Sequence, residues 1–141
     1  MTLNIWQVLW ATAIASIVWF ILGGVLYMNP VVRKISSQFD SLPVMKQWPS
    51  VPQYLGMMFL GACLAQCFLA ALAFALVKPA LPDSVLGTVA VFGFILIGIK
   101  IFTRFFDMWI QTTYPPQLLA IEFVNGSIGS LVIATIFALT I

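Results

Sequence analysis

Histidine is absent from the chain. Its absence removes the commonest metal ligand and the usual general base together. The usual axial ligand for haem goes with it. Charge is scarce as well: 7% of the 141 residues are charged, where a soluble domain carries about a quarter. Six Lys and Arg face four Asp and Glu, with no basic face or motif of the kind that holds nucleic acid. Cysteine occurs twice, as Cys63 and Cys67. Residues four apart lie one helical turn apart, and a regular helix does not favour a disulfide at that spacing. Two thiolates alone also make a poor metal site. The pair reads as two small buried thiols in a helix interface, and no metal or cofactor is expected. No nucleophile–base set or glycine-rich phosphate loop is visible, and no His could activate the Ser and Thr hydroxyls. The chain is therefore not expected to be an enzyme; chemistry on lipids by carboxylates and Lys is the residual alternative.

What the chain has in abundance is apolar length: 62% of it is hydrophobic. Four stretches run roughly Asn4–Met28, Tyr54–Val77, Val85–Thr103 and Leu118–Ile141. A helix needs about 20 residues to cross a bilayer core of about 30 Å. Lipid offers the backbone no partners, so each stretch must satisfy its own peptide groups as an α-helix. The fold class is all-α: one integral membrane four-helix bundle over residues 1–141, with helices near 4–28, 54–77, 85–108 and 117–141. A cleaved signal peptide is not expected, because the first stretch lacks a basic leader and exceeds a typical signal core.

Arg33, Lys34 and Lys46 follow the first helix, and Lys100 and Arg104 end the third. Only Lys78 lies in the connection between the second and third. Positive charge marks the cytoplasmic side, which puts both termini outside, in the periplasm of a bacterial cell with the bundle in the inner membrane. Trp6 and Trp10 then anchor the outer interface, with Tyr27, Trp48, Tyr54 and Trp109 at the inner one. In the interfacial loop 29–52, Val31, Val32, Ile35, Phe39 and Leu42 recur at helical spacing opposite Arg33, Lys34, Ser37 and Asp40. They predict a short helix lying on the inner surface. Pro43, Pro49 and Pro52 punctuate the return to the membrane.

An internal repeat is visible at an offset of 64 residues. Pro52-Gln53-Tyr54-Leu55 resembles Pro116-Gln117-Leu118-Leu119, and Phe59 and Ala70 then align with Phe123 and Ala134. Phe20–Gly24 resembles Phe94–Gly98. The repeat predicts two helical hairpins of like orientation, related by an axis along the membrane normal. It also aligns two stripes spaced by four: Met58, Ala62, Gln66 and Ala70, and Glu122, Gly126, Ser130 and Ala134. Small residues at this spacing let helices approach closely. Packing is the expected role; a polar path between the hairpins is the alternative.

Glu122 is the sharpest single residue. A carboxylate in lipid is costly and is usually paired. Asn125 lies on the same side, and Lys100, Arg104 and Asp107 share a face of the third helix. A Glu122–Arg104 or Glu122–Lys100 pair is expected to join helices three and four. If Lys100 and Arg104 instead reached lipid phosphates, Glu122 would reach water.

Gly23-Gly24-Val25-Leu26-Tyr27, then Pro30 and Lys34, resembles a pattern in the bacterial domain-of-unknown-function family 1761. There the first helix ends in small residues, an aromatic pair, Pro and a basic residue. Gly93-Phe94 and the small-residue-rich last helix are similar too, while Leu26 stands where the family has an aromatic. The resemblance implies a small four-helix membrane protein and supplies no reaction, substrate or catalytic residue.

These features point first to a non-enzymatic membrane component acting through helix–helix association, as a homo-oligomer or an accessory subunit of a larger membrane complex. The alternative is a small oligomeric transporter or channel with a polar site around Glu122, although no Pro or broken segment interrupts the helices. A third reading has Trp19, Phe20, Phe92 and Phe94 meeting pigments or lipids on outer faces.

Overall fold

The structure is a computed structural model and describes residues 4–141. Among these residues it is an all-α bundle of five helices: α1 Ile5–Met28, α2 Pro30–Ser36, α3 Val51–Ala80, α4 Val85–Gln111 and α5 Pro116–Thr140. All but α2 are long and apolar enough to cross a membrane.

Local chemistry sets the helix starts. Asn4, Ser50 and Ser84 each turn a side-chain oxygen onto first-turn amides of α1, α3 and α4, which satisfies donors the helix leaves free. Pro116 opens α5, where a missing N–H costs nothing. The same tolerance explains why α3 begins at Val51, before the expected Tyr54: Pro52 sits in its first turn and starts the helix instead of ending the loop. The expected surface helix is present as α2, with Asn29 as its cap and Pro30 in its first turn. A short 3₁₀ turn, Ser37–Phe39, extends it. Val32 and Ile35 are half-buried, whereas Val31 faces outward.

α5 is the central helix. It packs along both α1 and α4, and α1 packs along α3. Three glycines where α5 meets its neighbours admit large side chains. A Cβ on Gly129 would lie 2.1 Å from Cζ3 of Trp19, and one on Gly126 or Gly93 would collide with Ile101 or Leu131. Gly93 is the α4 side of the same arrangement, and Gly126 and Gly129 belong to α5. Trp19 and Phe92 are therefore core residues, where an outward role is expected from sequence. Phe94 does face outward, and Phe20 meets Phe59 edge-on at 5.4 Å.

At the end away from Arg104, the bundle is closed by aromatic rings. Phe74 meets Phe92 at 4.9 Å and Phe137 at 5.8 Å between centroids, and all three are buried. Edge-to-face rings at this range attract beyond their shape fit. A two-fold relation between hairpins α1–α3 and α4–α5 would repeat the long α1–α5 interface between α3 and α4. Those two meet through the Phe74 and Phe92 rings, so the two interfaces are unequal.

The structure adds an irregularity that the unbroken hydropathy hides. Residues Met58–Ala65 of α3 and Ile97–Phe102 of α4 form wide π-helical turns. Each contains a glycine, Gly61 or Gly98, with no heavy atom within 4 Å of where a Cβ would sit. Such turns are rare in helices and concentrate at functional places.

Candidate functional site

The polar residues gather where α4 ends and α5 begins. Arg104 Nη2 lies 3.2 Å from Glu122 Oε2, which realises one of the two expected pairs. The carboxylate has a second partner that the sequence reading lacks: the Tyr114 hydroxyl donates to Glu122 Oε1 at 2.8 Å. Tyr114 stands in the link between α4 and α5, directly before Pro115 and Pro116. The link is short, so the phenol folds back over the first two turns of α5. Burial, then the bond to Glu122 and that carboxylate's charge, push the Tyr114 phenol well above the usual tyrosine range. It remains a hydrogen-bond donor through the neutral range. Tyr27, at the end of α1, lies within electrostatic reach of Glu122 and Arg104.

Asn125 is buried one turn deeper. Its amide reaches the Leu26 carbonyl at 3.5 Å, and Asn29 donates to the same oxygen. Leu26 is in the last turn of α1, where carbonyls have no helical partner. Asn125 thus ties α5 to the exit of α1.

Lys100 and Asp107 are not part of this cluster. Asp107 is exposed. Lys100 lies one turn deeper than Arg104, inside the wide turn of α4, and faces α1: its ammonium is 5.3 Å from the centre of the Trp19 ring. The Arg104–Glu122 pair is the one ion pair among the described residues.

The two predicted stripes part company. Gly126, Ser130 and Ala134 are buried along α5, with Glu122 half-buried at their end. On α3, Ala62 is exposed and Met58, Gln66 and Ala70 are only half-buried. The buried face of α3 is instead Cys63, Cys67, Ala71 and Phe74. Spacing by four assumes 3.6 residues per turn, and the wide turn of α3 spans Met58 to Ala65, where that assumption fails. The stripe offers no polar path either. Ser130 donates to the Gly126 carbonyl at 2.8 Å, and Thr12 and Ser16 on α1 turn back in the same way at 2.7 Å. Hydroxyls satisfied on their own helix present little polarity to a neighbour.

Outside the core, a groove of about 400 Å³ lies between α1 and α3, with an apolar lining that includes Leu9, Ala13, Leu60 and Phe68. No group of three or more Cys, Asp or Glu residues able to hold a metal occurs among the described residues. No family model, curated protein or solved structure was found to match the chain.

Proposed function

We propose that the chain acts through helix–helix association within a membrane, as a homo-oligomer or as an accessory subunit of a larger membrane complex, and that it is not an enzyme. The observation that carries this reading is the outward face of α3. Gly61, Ala62 and Ala65 are exposed there, and Gly61 has open space around it. Small residues in helical membrane proteins are spent where backbones approach closely. Inside the bundle they are spent on α5; on α3 they stay exposed, Ala65 at the edge of the groove beside α1.

The transporter reading draws less support. Its polar site would need a wet route onward, and Phe74, Phe92 and Phe137 fill the bundle beyond Lys100. For location, we propose a bacterial inner membrane with the Arg104 end in the cytoplasm and both termini outside, on the charge bias alone.

The test is assembly state. Protein reconstituted in native-like lipid should run as an oligomer or with copurifying membrane subunits, and Gly61→Leu with Ala65→Leu should shift it to the monomer. A stable wild-type monomer with no copurifying protein would sink the proposal. Flux into proteoliposomes that depended on Glu122 would favour transport instead.

A further inference from the structure

Lys100 is the charge that the cluster around Glu122 leaves over. A Lys inside a membrane helix normally pairs with a carboxylate or with backbone carbonyls. Among the described residues no carboxylate lies within ion-pair distance of this one, and Glu122 is already held by Arg104 and Tyr114. The Lys100 ammonium lies instead 5.3 Å from the centre of the Trp19 ring, within the roughly 6 Å at which an aromatic ring attracts a cation. Met28, the end of α1, is nine residues beyond Trp19, or about 13 Å at 1.5 Å per residue. A Lys that answers lipid phosphates stretches toward the surface; Lys100 turns into the bundle.

The bundle is open beside it. The side chain crosses from α4 to α1, two helices that do not pack along each other. Trp19 shares a core cluster with Cys63, Cys67 and Phe74 of α3, so the ammonium over it lies on the α3 side of the bundle. There α3 packs along α1 but meets α4 only at the far end, through Phe74 and Phe92. Its first two turns, Val51–Met57, pack along no other helix, and every residue in them is exposed. The half of the bundle near Arg104 therefore has a lateral opening between α3 and α4. Lys100 is half-buried. Among the described residues no buried side-chain nitrogen or oxygen lacks a partner, so this unpartnered ammonium is not sealed in but reachable from that opening.

We propose that Lys100 binds the carboxylate of a long-chain fatty acid, whose tail leaves between α3 and α4 into the lipid. The head matches the site in charge: one carboxylate beside one ammonium is neutral overall, and an unbalanced charge in a low-dielectric interior is costly. A phosphate monoester would bring a second charge that one ammonium does not cancel. A phospholipid head stays at the surface with its glycerol, out of reach of an ammonium held over Trp19. A fatty acid can enter hydrocarbon as the neutral acid. At the site its proton passes to the Lys100 amine, or to water where the amine already carries one; no bond to carbon forms or breaks. α3 and α4 offer the tail exposed apolar side chains, Met57 and Leu60 on one and Ile99 on the other. Trp19 is a positioning residue, which keeps the ammonium at this depth.

The experiment uses the full-length chain in nanodiscs of zwitterionic lipid. Trp6→Phe, Trp10→Phe, Trp48→Phe and Trp109→Phe together leave Trp19 as the only indole. Stearate carrying a nitroxide either near the carboxyl or near the tail end is titrated in. The head-labelled acid should quench Trp19 saturably and the more strongly of the two. Stearate merely dissolved in the bilayer would give the reverse order, because its head stays at the surface and Trp19 lies closer to the middle of α1 than to its end. Lys100→Met should weaken the saturable binding about 30-fold or more, as when one partner of a buried charge pair is truncated, and Lys100→Arg should keep most of it. A measurement on the unsubstituted protein stands beside these: in mild detergent it should bind one radiolabelled palmitate per chain, displaced by stearate and not by phosphatidic acid. The site is overturned if the tail label quenches more strongly, if wild-type binding does not saturate, or if a folded Lys100→Met variant binds as well. Displacement by phosphatidic acid and not by stearate would overturn the carboxylate as the head.

Discussion

The two halves of the bundle solve the same problem differently. Toward one end, Phe74, Phe92 and Phe137 interlock on regular helices and need no polar partner. Toward the other lie the wide turns, a Lys, two thiols and, nearer the end, the Arg104–Glu122–Tyr114 cluster. In lipid the hydrophobic effect does not drive helices together, so packing and polar contacts must. The ring-filled half relies on shape alone. The half near Arg104 adds bonds between named atoms, and those bonds depend on protonation in a way that rings do not.

Mutations can separate the two modes. The largest effect is expected in the ring-filled half: Phe137→Ala removes a fully buried ring that touches two others and should cost about 3–5 kcal/mol, read by reversible unfolding in mixed micelles. Gly129→Ala comes next, at about 1–3 kcal/mol for an overpacked contact, because Trp19 occupies the space the methyl would take. Trp19→Leu should relieve most of that cost in the double variant, and strict additivity of the two losses would contradict the contact.

Smaller still is Tyr114→Phe, at about 1–2 kcal/mol for a bond to a charged acceptor that is partly exposed. This one carries a pH signature. The folded phenol titrates above the unfolded value, so the fold favours the protonated form. Its contribution is complete below about pH 10, the ordinary tyrosine range, and disappears as pH rises through the folded value. Wild-type melting temperature should drop on the alkaline side more steeply than that of Tyr114→Phe; parallel curves would remove Tyr114 as the cause. Smallest is Arg104→Ala. The Arg104 side chain is 64% exposed against 27% for Glu122, so water screens the pair and less than about 1 kcal/mol is expected. A larger loss would mean that the two charges are more sheltered from water than their surfaces indicate.

Hydropathy made the four spans legible, since backbone satisfaction in lipid leaves no other choice. The surface helix was legible from Asn29-Pro30 and the periodicity after it. Of the site, the Arg104–Glu122 pair could be read because two opposite charges in short supply must meet. Tyr114 was hidden because it lies outside any span, in a link whose path depends on tertiary packing. A Tyr directly before Pro-Pro and eight residues before an intramembrane Glu was the available signal. The buried face of α3 departs from the stripe because its wide turn breaks the spacing rule, and no Pro advertises it; Gly61 is the one glycine it holds. Trp19 reads as a surface ring in the sequence because its partner, Gly129, is more than a hundred residues away in the chain.

The central place of α5 has a consequence for biosynthesis. During translation α4 leaves the ribosome before the helix it chiefly packs against has been made. It must enter the bilayer carrying Lys100 and Arg104 while the carboxylate that answers one of them is still unsynthesised. Assembly of the bundle is therefore held back until late in elongation. A chain stalled ahead of Pro116 would leave an orphaned α4 in the lipid, the kind of segment that membrane quality control removes.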